Sequence, residues 1–291
     1  MKKWLMLMMA VLITVLVACG GGDDSENAGE SDNESTNEAS NESTDNNNSE
    51  EETQTIRVAS VESPMTDVVE IAKENLAEEN IEVELVEMGD YIQPNEALAN
   101  GEVDANFSQH VPFMKQYNNN KDANLTEVQP IYFANFGLYA KEYDSLDALP
   151  DDATIGIAND PSNIDRSLRL LASNDLIEMK DTDSNQYGLD DIKEDSHNFS
   201  FEQAGIAALA RLYEDVDGVI LNPTHAGNID LTPADDALAT EAEDNKFTIT
   251  LVAREDNADS ELIQKLAEAM TSEDVREFLE NREGGASVPA F

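Results

Sequence analysis

Three short polar stretches carry side chains suited to holding a small charged molecule, and each follows an apolar run. The first is Phe107-Ser108-Gln109-His110, followed by Pro112 and Phe113; the second runs from Asn159 to Asn163 with Arg166 beyond it; the third is Asn222, ahead of Pro223. A guanidinium suits a carboxylate, amide side chains suit ammonium and carbonyl groups, and aromatic rings suit an apolar body, which together are the parts needed to hold a free amino acid. Arg166 reads as a first-turn residue of a helix, where a cation is unfavourable against the helix dipole unless an anion lies nearby. That anion is either a ligand or one of the chain's many carboxylates, and the residues alone leave both open. Parts for catalysis are missing: there is no Gly-x-Ser-x-Gly elbow, no His-Glu-x-x-His and no Gly-rich phosphate loop, and the single thiol is Cys19. His110, His197 and His225 are scattered without ligand spacing, so neither a metal nor a cofactor is expected.

The elements that position these residues follow from periodicity. Ile56-Arg57-Val58-Ala59 reads as a strand. A helix then begins at Ser63-Pro64 as cap and first helical residue, with Val68, Ile71, Ala72 and Leu76 on one face, and Ile81, Val83 and Leu85 alternate as a second strand. This is the β-α-β unit of a parallel sheet. Tyr91 to Asn95 leads into a short helix, and Val103 and Ala105 alternate with Asp104 and Asn106 as a strand that delivers Phe107 to His110 to a helix containing Pro112. In open α/β sheets, ligands sit at the carboxyl ends of strands facing helix starts. Ile131 to Ala140 reads as one long strand. A second set of units follows: strand Thr154 to Ala158 with a helix through Leu168, Leu171 and Ala172; strand Phe199 to Phe201 with a helix from Gln203 to Leu212; and strand Gly218 to Leu221. A strand at Phe247 to Ala253 and two helices, the second capped by Ser272, close the chain.

The 291-residue chain has a formal charge of −45. Its first eighteen residues read as an export signal, with Lys2 and Lys3 before an apolar run, ending at Leu16-Val17-Ala18-Cys19-Gly20. That ending resembles the lipobox of bacterial lipoproteins, in which the cysteine is lipidated, and Cys19 is the only cysteine in the chain. Residues 19–54 are polar and acidic, with too little apolar surface to offset ordering, and read as a disordered tether. The expected address is the extracytoplasmic face of the cell membrane, held by the lipid. From Thr53 onward the charge is still −35, which excludes nucleic acid as a partner and points to a protein working in high salt.

The stretches Asp90-Tyr91-Ile92-Gln93-Pro94-Asn95, Asp104 to Phe113, Asn159 to Arg166 and the ending Val288-Pro289-Ala290-Phe291 resemble the NlpA-type methionine-binding lipoproteins, the MetQ-like substrate-binding proteins of ABC importers. The resemblance covers essentially all of 55–291. It implies an α/β fold, a two-lobed clamshell of the periplasmic-binding-protein type II class, with the ligand between lobes and no catalysis. The lobes are expected at 55–138 plus 241–291 and at 139–240, the chain crossing twice. The family pattern implies that Tyr91, Phe107, His110 and Phe113 surround the ligand side chain, that Arg166 pairs with the carboxylate, and that Asn163 and Asn222 bond its backbone-like groups. Implied partners are L-methionine or a related small amino acid and the permease and ATPase subunits of an importer, with the protein a monomer. Ser108, Phe113 and Pro223-Thr224-His225 depart from the pattern. They keep a methionine-containing dipeptide or another apolar amino acid as alternative ligands. A surface adhesin with a non-binding cleft, and an enzyme on the same architecture, are the competing classes.

Overall fold

The computed structural model describes residues 53–182, 184–194, 198–242 and 245–291. The signal segment, Cys19, the tether as far as residue 52, and His197 lie outside the described residues. In chain order the elements are β1 (Gln54–Ser60), α1 (Met65–Ala77), β2 (Ile81–Glu87), α2 (Gln93–Ala99), β3 (Ala105–His110), α3 (Val111–Lys121), β4 (Leu125–Ala134), β5 (Gly137–Tyr139), β6 (Thr154–Ala158), α4 (Pro161–Ser173), β7 (Ser200–Ala204), β8 (Gly218–Leu221), α5 (Pro223–Gly227), β9 (Ala239–Thr240), β10 (Ile249–Arg254), α6 (Glu261–Ala269), α7 (Glu273–Glu280) and β11 (Ser287–Pro289). No helix among the described residues is long and apolar enough to cross a membrane.

Two sheets result. The first has the order β11-β4-β10-β3-β1-β2 and the second β7-β6-β8-β5-β9. β2, β1 and β3 run parallel, as their β-α-β connections require, and β10 joins β3 antiparallel. In the second sheet β7, β6 and β8 are parallel and β5 and β9 are antiparallel additions. The chain therefore leaves the first sheet after Ala134 and returns to it at Ile249. Apolar residues of α1, α6 and α7, such as Val68, Ile263 and Leu279, pack with the strands as the main core. Ser272 caps α7 by accepting from Val275 N at 3.5 Å.

Local differences from expectation have physical reasons. The run Ile131 to Ala140 is two strands, broken at Asn135 and Phe136, because β4 and β5 belong to different sheets. Gly137 sits where a Cβ would come within 2.9 Å of both Ala237 and the Tyr139 ring, so the turn into the second sheet needs a residue with no side chain. Gln203 to Leu212 is not an α-helix. Gln203 and Ala204 extend β7, and a 3-10 segment covers Ile206–Glu214. Ser63 does not cap α1; its hydroxyl donates to Asp67 at 2.6 Å and the helix begins at Met65.

Candidate functional site

The polar strand ends are each converted into a helix cap. His110 ends β3 and caps α3, its Nδ1 accepting from Phe113 N at 3.2 Å. Asp160 follows β6 and caps α4, its carboxylate accepting from Asn163 N at 3.0 Å and from the Ser162 hydroxyl at 2.6 Å. Asn222 follows β8 and caps α5 by accepting from His225 N at 2.7 Å. Each cap satisfies an otherwise unpaired backbone donor and fixes the rotamer of the capping side chain. Pro112, Pro161 and Pro223 stand in the first turns, where a missing N–H costs nothing.

These ends meet at a cavity of about 620 Å³, counting its mouth, between the two sheets. Tyr91, His110, Phe113, Asn163, Arg166 and Asn222 all line it. Phe107 does not. It lies fully buried behind the wall, edge-on to the Tyr132 ring at 6.0 Å, and it is Tyr132 that faces the cavity. Phe107 shares the core face of the strand with Ala105, and a bulge follows it: β10 residues Leu251 and Thr250 pair with Phe107 and Gln109, so Ser108 is an extra residue in β3 and strict alternation fails there. Ser108, Gln109 and His110 consequently all reach the cavity. Ser108 Oγ is buried with no hydrogen-bond partner among the described residues.

Across the cavity, His110 Nε2 lies 3.2 Å from Asn163 Oδ1. Because Nδ1 accepts a backbone N–H, Nε2 must carry the proton and donate to Asn163. Burial, with the Arg166 charge adding to it, lowers the His110 pKa to about 4, so the ring is neutral. Asn163 donates in turn to Asp160 Oδ2 at 2.8 Å. Its amide is therefore committed to holding His110 against α4. On the opposite rim the Tyr91 hydroxyl donates to Glu62, and both burial and the Glu62 charge push its pKa well up. Glu62 lies 3.7 Å from His225 Nδ1, and the Thr224 hydroxyl donates to Ser63 O at 3.1 Å.

Arg166 is the most deeply buried charge in the site, 1% exposed. It lies in the second turn of α4, not the first, so the helix dipole is not what demands an anion. The anion is Glu241, whose carboxylate accepts from Nε at 2.9 Å and from Nη2, while Nη2 also donates to Ala134 O at 2.6 Å. The guanidinium stacks 3.7 Å from the centre of the Phe136 ring. Nη1 has no partner among the described residues, and Arg166 lines the cavity. One edge of the fork is thus engaged and one corner is left for another acceptor. No cluster of metal-ligating side chains occurs among the described residues.

Tyr132, Phe136 and Glu241 are site residues that sequence reasoning missed. The polar Asn135, breaking the aromatic run from Tyr132 to Phe136 ahead of Gly137, was the available signal for the first two. Glu241 is one acid among 62 acidic residues, and nothing in its local sequence marks it as buried.

Two α/β lobes, each sending strand ends and helix starts into a shared cleft with a buried arginine and an aromatic wall, define a clamshell of the substrate-binding class. Comparison with known proteins is specific. The model of the NlpA lipoprotein family matches residues 56–291, and the chain belongs to that family. It is 34% identical to the D-methionine-binding lipoprotein MetQ of Salmonella typhi over 83% of this chain and 90% of that one. Among solved structures it resembles a nutrient-binding protein from Burkholderia cenocepacia bound to methionine, with a TM-score of 0.76 and 30% identity over 81% of this chain and all of that one. A periplasmic substrate-binding protein of an ABC transporter from Coxiella burnetii is similar at the same TM-score, identity and coverage.

Proposed function

We propose that this chain is an extracytoplasmic binding protein that captures methionine, L-methionine foremost, and delivers it to the permease and ATPase subunits of an ABC importer. The observation that carries the reading is the unpartnered Nη1 of Arg166 in a cavity otherwise walled by Tyr91, Phe113, Tyr132 and Phe136. A buried cationic donor lacking an acceptor is costly, and a carboxylate satisfies it. The aromatic wall suits the thioether, since sulfur is attracted to ring edges. In this reading the protein works as a monomer, performs no catalysis, is lipidated at Cys19 and swings on a tether above the membrane. The two lobes, one built on each sheet with the first crossing at Asn135–Phe136 rather than between 138 and 139, close around the ligand.

The names of the relatives support methionine. Ser108 Oγ, buried without a partner, favours one alternative: a methionine-containing dipeptide whose extra carbonyl would accept from it. Thermal unfolding of the protein in molar NaCl against a panel of free amino acids and methionyl dipeptides tests both. Stabilisation by methionine above all others is the expected result. A larger shift with a dipeptide would transfer the assignment to peptides, and no shift with any ligand would leave the non-binding adhesin reading.

A further inference from the structure

Glu241 is the second half of the arginine site. Its carboxylate spans the Nε and Nη2 edge of Arg166 and also accepts from Phe136 N at 2.9 Å. Glu241 N donates to Phe136 O at 3.0 Å, so the two segments that cross between sheets are bonded to one another at this point. Arg166 Nη2 reaches Ala134 O on the same crossing, and the Phe136 ring covers the guanidinium face. The side chains of Arg166 and Glu241 are 1% and 6% exposed. Few freedoms remain to the guanidinium: its edge, its Nη2 corner and its face are all occupied.

Two consequences follow. First, the pair is neutral as a unit, so the site can be buried before a ligand arrives and can then accept a zwitterion without a net buried charge. Second, only Nη1 is presented, in a fixed direction, to whatever enters the cavity. Both crossing segments also set that direction, because Ala134, Phe136 and Glu241 sit on them.

We infer that Glu241 is a positioning residue for ligand recognition: it aims Arg166 Nη1 at the ligand carboxylate and makes carboxylate binding depend on the geometry of the two crossings. The inference rests on the reading of the cavity as an amino-acid site.

The test compares methionine with methioninamide, which lacks the carboxylate, by calorimetric titration of the full-length chain in detergent. The wild type should prefer methionine on the order of a hundredfold, as expected when a buried charge pair loses a partner. In Glu241→Gln that preference should fall below tenfold, mainly through weaker methionine binding. Glu241→Asp, which keeps the charge and protects the fold but shortens the reach, should give an intermediate preference. A purely structural role would move the unfolding midpoint and leave the ratio alone. An unchanged ratio in both variants, or tighter methionine binding in Glu241→Gln, would overturn the inference, the latter by showing that Glu241 competes with the ligand. A readout without added ligand separates this from the reading of the cavity. The Arg166 side-chain N–H signals in nitrogen NMR should be slow to exchange and rotationally restricted in the wild type and freed in Glu241→Gln. If the wild type bound neither compound, the methionine reading would fall, while equal restriction in both proteins would still refute the positioning role.

Discussion

The two sheets meet at one cavity but bring different chemistry to it. The first sheet, with the chain around it, supplies an aromatic wall: Tyr91, Phe113 and Tyr132, with His110 held neutral by burial. The second supplies Arg166, Asn163 and Asn222, of which only Arg166 carries charge. The apolar wall is built by strand register and a bulge, and its members are replaceable by residues of similar volume. The polar wall is built by a chain of specific partners, Asp160 to Asn163 to His110 and Glu241 to Arg166, in which each member satisfies the next. Such networks lose disproportionately when one member goes. Perturbing the polar wall should therefore cost stability and binding together, whereas perturbing the aromatic wall should cost binding alone.

The largest effect is expected at Arg166. Arg166→Ala leaves the Glu241 carboxylate buried without its charge partner, which should lower the unfolding free energy by about 3–5 kcal/mol. Arg166→Lys should recover only part, because an ammonium cannot reproduce the parallel bonds to Glu241 together with the donation to Ala134 O. Urea unfolding of the two variants decides this, and equal stability of wild type and Arg166→Ala would break the contrast between the walls.

His110 joins the walls, and its effect depends on pH. Its folded pKa of about 4 lies below the ordinary value of 6.5. Between those values the unfolded chain takes up a proton that the folded chain refuses, so stability is full above pH 6.5 and falls as the pH drops toward 4. The loss should reach about 3 kcal/mol at most. His110→Gln should flatten that part of the profile. An unfolding midpoint in wild type that does not change between pH 7 and 4.5 would show that the folded ring takes up its proton as readily as the unfolded one, against the lowered pKa.

The aromatic wall should give the next effect. Phe113→Ala should weaken methionine binding by about 1–2 kcal/mol through lost apolar contact. The unfolding midpoint should stay near that of wild type, because Phe113 is only half-buried. Calorimetry paired with a melting curve separates the two. The smallest effect belongs to the rim: Thr224→Val removes the bond to Ser63 O and should weaken binding by about 0.5–1.5 kcal/mol. No change would mean that this rim contact contributes nothing to holding the lobes together.

Much of this arrangement is legible in the residues. The β-α-β order, the strand ends at His110, Asn159 and Asn222, and the prolines after them follow from periodicity and capping chemistry, because those are local properties. What escaped is what depends on distant partners. Phe107 falls on the same face of its strand as Ala105 and so enters the core, while the bulge after it carries Ser108, Gln109 and His110 to the cavity. Arg166 reads as a cation seeking an anion, which is right. Its partner Glu241 is 75 residues away, at a crossing whose position no local pattern marks. Asn163 reads as a ligand contact and does line the cavity, but its bonds to His110 and Asp160 were not legible.

The central claim is that a methionine carboxylate lies on Arg166 Nη1 with the thioether among the rings. A crystal structure of the protein grown with methionine tests it most directly. The account predicts carboxylate oxygen within hydrogen-bond distance of Nη1, the Arg166 to Glu241 bonds retained, and the sulfur against Phe113, Tyr91 or Tyr132. Methionine bound in the opposite sense, with its carboxylate away from Arg166, or Arg166 still joined only to Glu241 and Ala134 while the ligand sits elsewhere, would contradict it.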